Sequence, residues 1–157
     1  VPILFEMPPQ PAHIELVQME SMTGMEAKFT ARALASGWSQ SQADWIGRLS
    51  ARELGSVASP TEAQMDAAYK AGERQLSAGY FNDAVAHGKS RLVAFLTVID
   101  LEKQVIERGG GKAPDYGDDA LKTAYAALED AAARGLSVED QIAAAFATLR
   151  RLAAGAK

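Results

Sequence analysis

Residues 91–108 read RLVAFLTVIDLEKQVIER. Between Leu92 and Ile106 the apolar side chains are Leu92, Val93, Ala94, Phe95, Leu96, Val98, Ile99, Leu101, Val105 and Ile106. Leu92, Ile99 and Ile106 recur every seven residues, Val85 extends the row backwards, and Phe95, Leu96 and Val98 widen it to most of a helical circumference. A helix that is apolar nearly all round belongs in the middle of a bundle. The opening LVAFLTVI also suits a buried strand, and periodicity does not separate the two in so short a run. The flanks favour helix: Ala84–Ser90 and Asp100–Arg108 are helix-compatible and continue the same row until Gly109-Gly110-Gly111 stops it. The expectation is one long central helix from Asp83 to Arg108, with the other helices packed around it.

Working outward, start and stop signals mark those other helices. Thr23-x-x-Glu26 and Ser39-x-x-Gln42 have the capping-box form, in which side chain and backbone satisfy each other at a helix start. They predict a helix over Gly24–Ser36, closed by Gly37, and a second ending at Leu54 before Gly55. Gly47, inside the second, either weakens it or admits a close neighbour. Ser59-Pro60-Thr61-Glu62 places Ser59 as cap and Pro60 at the first helical position of a third helix, which ends near Ser77 with Gly79 as its stop. Beyond the flexible-looking connection Gly109–Gly117, Asp118 or Asp119 caps a fifth helix running to Arg134, and Ser137 caps a sixth ending at Gly155. The segments Ala33–Ser39 and Ala131–Ser137 echo each other as helix end, Gly, one apolar residue and Ser. That pattern is read as a tight helix-to-helix connection rather than a repeat. His13–Met22 alternates like a strand and also fits a helix.

A length of 157 residues suggests one domain with a real core. Apolar content of 48% and charged content of 23% are ordinary for a globular protein. Abundant alanine and few β-branched residues outside the central stretch favour an all-α, single-domain bundle of about six helices over residues 13–157. No apolar run reaches the length of a membrane span, and no charged region precedes an apolar one as in a signal peptide, so the expected compartment is the cytoplasm or a virion. Cysteine is absent, which excludes disulfides and thiol chemistry, and the histidines are His13 and His87 alone. No metal site or cofactor is expected from so few soft ligands. The net charge of −4 argues against nucleic acid as the main partner.

Residues 1–12, VPILFEMPPQPA, differ from the rest. Pro2, Pro8, Pro9 and Pro11 forbid a helix and favour an extended path. Val1, Ile3, Leu4, Phe5 and Met7 nevertheless make this arm apolar. It either folds back on its own core or docks on another subunit or partner. Residues 1–27 carry Glu6, Glu15, Glu20 and Glu26 and no Lys or Arg, so the arm suits a surface that is apolar with a basic rim.

Four constellations invite a chemical reading. Phe29–Leu49, FTARALASGWSQSQADWIGRL, resembles a bacterial helix-turn-helix unit, with Ala33 four residues before Gly37 and Ala43 and Ile46 inward on the next helix. The resemblance implies DNA contacts from Gln40, Gln42, Arg48 and Arg52. Arg32 and Ser36 depart from it by standing where apolar residues belong, and Asp44, taken as exposed with Gln40 and Gln42, would face phosphate. Asp83, His87 and Ser90 would share one face of the central helix, but a catalytic triad draws its members from separate elements. His87-Gly88-Lys89-Ser90 contains GKS, yet a phosphate loop needs a glycine where Asp83 stands. Asp115, Asp118 and Asp119 do not match calcium-loop spacing. None of the four passes as a catalytic site. The leading expectation is a non-enzymatic structural or interaction subunit, such as a phage-particle component, that meets a protein partner or its own copies through the arm and the helical surface. The alternative is a helix-turn-helix regulator using residues 24–54.

Overall fold

The computed structural model describes residues 23–155, and within them the chain forms six helices and no strands. These are α1 (Gly24–Ser36), α2 (Gln40–Leu54), α3 (Glu62–Ala86), α4 (Arg91–Arg108), α5 (Asp118–Ala133) and α6 (Val138–Gly155). The arm, residues 1–12, and the ambiguous segment 13–22 lie outside the described residues.

The helices pair in sequence as three antiparallel hairpins, α1–α2, α3–α4 and α5–α6, and the middle pair joins the outer two. One core cluster gathers Phe29 and Ala33 of α1, Trp38, and Trp45 and Ile46 of α2. It adds Tyr69, Leu76 and Tyr80 of α3 and the C-terminal Leu101 and Val105 of α4. The other gathers Phe81 and Ala84 of α3, Phe95, Val98 and Ile99 of α4, Leu128 of α5, and Ile142 and Leu149 of α6. Helices α3 and α4 therefore run through both clusters, while α1–α2 and α5–α6 each serve one.

Two expectations about the centre are corrected. The long helix expected from Asp83 to Arg108 is broken: α3 continues to Ala86, a turn occupies residues 87–90, and α4 begins at Arg91. The stop expected at Gly79 is overridden. A mid-helix glycine costs about 1 kcal/mol, and burying Tyr80 and Phe81 immediately after it exceeds that cost. The break falls at Gly88, whose φ is +87°, a conformation that favours a residue without Cβ. The amide of Gly88 donates to Val85 O at 3.0 Å and that of Lys89 to Ala84 O at 3.0 Å, closing α3 in a Schellman motif. The second correction concerns burial. Leu92, Val93 and Val85 are exposed, and Leu96 and Ile106 are half-buried, so α4 is not apolar all round in its surroundings. The helix that meets most neighbours is α3, which packs against α2, α4 and α6.

The caps also shift by a few residues. Thr61, not Ser59, caps α3, with its Oγ1 accepting from Gln64 N at 3.1 Å and the Gln64 side chain accepting from Thr61 N at 2.8 Å. Gly117 rather than an aspartate occupies the N-cap of α5, and Asp118 and Asp119 fall in the first turn, where negative charge suits the helix dipole. The capping boxes at Thr23 and Ser39 form as expected. Gly47 is a close-approach site: a Cβ there would lie 2.7 Å from Glu26 O of α1.

The three hairpin turns share one construction. Gly37-Trp38-Ser39, Gly88-Lys89-Ser90 and Gly135-Leu136-Ser137 each follow a buried alanine, Ala33, Ala84 or Ala131, by four residues. In each, the glycine has positive φ and donates to the carbonyl three residues back, and the next residue donates to that alanine. In each, the serine Oγ then caps the next helix by accepting from the backbone amide three residues on. Two arginines bound α4 and tie it to the outer hairpins. Arg91 Nε donates to Glu129 Oε1 at 3.1 Å and Arg91 Nη2 to Gln141 Oε1 at 2.6 Å, on the α5–α6 side. Arg108 Nη1 donates to Gly37 O at 2.9 Å, on the α1–α2 side.

Candidate functional site

Helix α4 forms the floor of a groove of about 590 Å³ whose walls are α3 and α6. Spacings of three and four place each lining set on one stripe of its helix. The stripes are Lys70, Glu73, Arg74 and Ser77 on α3; Val98, Leu101, Glu102 and Val105 on α4; and Ile142, Ala143, Phe146 and Arg150 on α6. Trp38, from the first hairpin turn, closes one end, and its indole Nε1 donates to Glu73 Oε2 at 3.0 Å. The result is an apolar trough with a charged rim.

Glu102 is the unusual member. It stands among the apolar residues of α4, and its Oε1 is buried without a hydrogen-bond partner among the described residues. Burial pushes its carboxyl above the ordinary carboxylate range, and nearby Arg150 partly counters that. Tyr116, in the α4–α5 connection, is also raised, first by burial and then by the Glu102 charge. Arg74 and Arg150, on opposite walls, form no ion pair within 4 Å among the described residues. Lys70 pairs instead with Asp66 at 3.1 Å. Among the described residues, Ser77 is the groove's hydroxyl and no imidazole lines the walls.

The residues expected to contact DNA differ in exposure. Gln40 is exposed and donates to Asp44 Oδ1 at 3.0 Å. Gln42 and Asp44 are buried, contrary to the expected exposed helix start. The Gln42 amide is held by Ser39 N and by Tyr80 OH, the latter at 3.2 Å. Arg48 is half-buried and donates to Asp44 O at 3.2 Å, leaving Arg52 exposed near the helix end. The capping box that starts α2 requires the Gln42 side chain to turn back onto Ser39 N. Asp83, His87 and Ser90 likewise do not share a helical face. His87 ends α3 with its Nδ1 2.8 Å from Asp83 O, and the Ser90 hydroxyl accepts from Val93 N at 3.1 Å as the cap of α4. The expected arm contacts Val1, Ile3, Leu4, Phe5 and Met7 lie outside the described residues.

Sequence reasoning missed the groove, although one signal pointed to it: Glu102 is a carboxylate set among Val98, Leu101, Val105 and Ile106 on a helix otherwise chosen for burial. Among the described residues no group of three or more His, Asp or Glu could hold a metal ion, and no helix is long and apolar enough to cross a membrane. The described residues thus form an all-α bundle of three helical hairpins with a groove on its central pair. No protein-family model, curated protein or solved structure matches it.

Proposed function

We infer that this protein is a non-enzymatic interaction subunit that docks a protein partner in the groove between α3, α4 and α6. The observation that carries the reading is the apolar trough itself: Val98, Leu101, Val105, Ile142 and Phe146 face an open channel flanked by the guanidiniums of Arg74 and Arg150. A surface of this kind takes an apolar segment along its floor and a negative charge at its rim. The arm, with its five apolar side chains, is a second recognition element.

Ala143 is exposed on the α6 wall, so Ala143→Arg fills the groove without touching the core. Solution mass by light scattering and affinity capture of partners, run side by side on the native protein and this variant, test the reading. The expected result is an assembly or partner present with the native chain and lost with the variant at unchanged melting temperature. A protein that stays at its monomer mass of 16.7 kDa and retains no partner, or whose partners ignore Ala143→Arg, would overturn it. Random duplex DNA in the same scattering experiment at low salt checks the helix-turn-helix alternative, since salt-sensitive binding there would favour that reading instead.

A further inference from the structure

We propose that Glu102 sets the selectivity of the groove: its carboxylate receives one lysine ammonium, carried in on an otherwise apolar segment of the docked protein. The inference rests on the groove being the docking surface and names the group which that surface selects.

Glu102 is isolated on its own helix. The residues three and four positions away are Val98, Ile99, Val105 and Ile106, so α4 supplies no cation that could pair with it across a turn. It also stands outside the first turn of α4, where a helix end would favour negative charge. Its Oε1 is buried without a hydrogen-bond partner among the described residues, while the side chain still lines the groove. Arg150 acts on it through space, with no ion pair between them within 4 Å. A carboxylate so placed costs stability unless another charge meets it.

Depth gives the groove its sign. Glu73, Glu102 and Glu139 line it as half-buried residues, whereas Lys70, Arg74 and Arg150 are exposed. The charges balance in number. Exposed cations, however, are screened by salt over about 8–10 Å, and half-buried groups much less. The interior is therefore acidic and the rim basic. Two of the carboxylates are already served. Glu73 accepts from Trp38 Nε1 at 3.0 Å, and Glu139 lies in the first turn of α6, where the helix dipole suits it. Lys70 is drawn to Asp66 at 3.1 Å. The Tyr116 phenol, raised by burial, brings no charge to Glu102. Among the described groove residues, Glu102 is the carboxylate left without a hydrogen bond or a helix end.

Lysine suits this setting better than arginine. Its apolar four-carbon stem crosses a floor of Val98, Leu101 and Val105 and delivers a compact ammonium. The five donors of an arginine fork would find one carboxylate among apolar side chains. A volume of about 590 Å³ admits the lysine together with apolar neighbours.

Octylammonium reproduces a lysine's stem and head, and n-octanol matches it without the charge. Backbone amide shifts of the full-length protein at neutral pH report where each probe binds. Octylammonium should move the amides around Glu102 and bind at least about tenfold more tightly than octanol. Glu102→Gln should abolish that preference and leave helicity and octanol binding unchanged, while Glu139→Gln should weaken octylammonium by less than about threefold. Equal affinity of the two probes for the native protein, shifts confined to other surfaces, or equal losses in the two variants would each overturn the proposal. A partner recovered in the capture experiment supplies the second test. Acetylating its lysines should abolish binding, and Glu102→Gln should weaken it at least about tenfold. Binding that survives acetylation would overturn lysine as the source. A partner lost with Ala143→Arg but kept by Glu102→Gln would refute the ammonium seat and leave the docking surface standing. Octylammonium held at Glu102, with partners that ignore Ala143→Arg, would refute the docking surface instead.

Discussion

Phe95 and Leu92 lie three residues apart on α4 and meet opposite surroundings. Phe95 is fully buried against α5, with its ring 6.0 Å from that of Tyr125, whereas Leu92 is 44% exposed. Phe95→Ala should cost about 3–5 kcal/mol, as the loss of a large core side chain does. Leu92→Ala should cost under about 0.5 kcal/mol. Chemical denaturation of the two variants checks the contrast, and a large loss from Leu92→Ala would contradict the observed packing of α4. Glu102 gives a prediction in pH. An acid whose carboxyl is raised by burial holds more protons in the folded than in the unfolded chain, from its ordinary value of 4.5 upward. Stability contributed by that site is therefore present below the ordinary value and falls as pH rises through the folded one. Glu102→Gln removes the penalty, so its melting temperature should exceed the native one at about pH 7 and converge with it near about pH 4. Melts at the two pH values decide this, and an advantage that grows toward acid would reverse the assignment.

At the level of the element, the caps and breaks decide where helices lie. Ser90→Ala deletes the cap that separates α4 from α3 and should cost about 1 kcal/mol. A thermal melt with no change would mean that the 87–90 turn is held by the Gly88 motif alone. This turn is also where the sequence misled. The seven-residue row through Val85, Leu92, Ile99 and Ile106 suggests one helix, but two of its four members are exposed, because the row crosses a reversal of the chain. The same reversal was legible in another form: Gly88-Lys89-Ser90 repeats the Gly-x-Ser of the two turns that were read correctly. There Gly88 closes α3 and Ser90 caps α4. Helices α1, α2 and α6 were legible because each carries its own local signals: a capping box or cap serine at the start and, for α1 and α2, a glycine at the end. The groove was not legible, because it depends on how α6 lies across the α3–α4 pair, and that is set by long-range burial of Ile142 and Leu149 rather than by any local pattern. Gln42 shows the same limit: its side chain is taken by the cap and by Tyr80, a residue on a different helix.

For the whole molecule, the two core clusters share α3 and α4 and should melt as one unit. Both tryptophans, Trp38 and Trp45, sit in the first cluster, while helicity reports the entire chain. Leu128→Ala weakens only the second cluster, yet tryptophan emission and helicity should shift together to the same lower denaturant midpoint. Separated midpoints would mean that the outer hairpins unfold independently. The thrice-used Gly-x-Ser turn bears on the speed with which the molecule assembles. Each hairpin closes over a loop of three or four residues, so most native contacts join residues near one another in sequence. The two longer connections, residues 55–61 and 109–117, are of lengths that close in roughly 10–100 ns. Chains dominated by such near-neighbour contacts reach the native state in microseconds to milliseconds, ahead of sheet proteins of equal size. Rapid-mixing refolding should therefore be complete within the first few milliseconds, about as soon as a stopped-flow instrument can look.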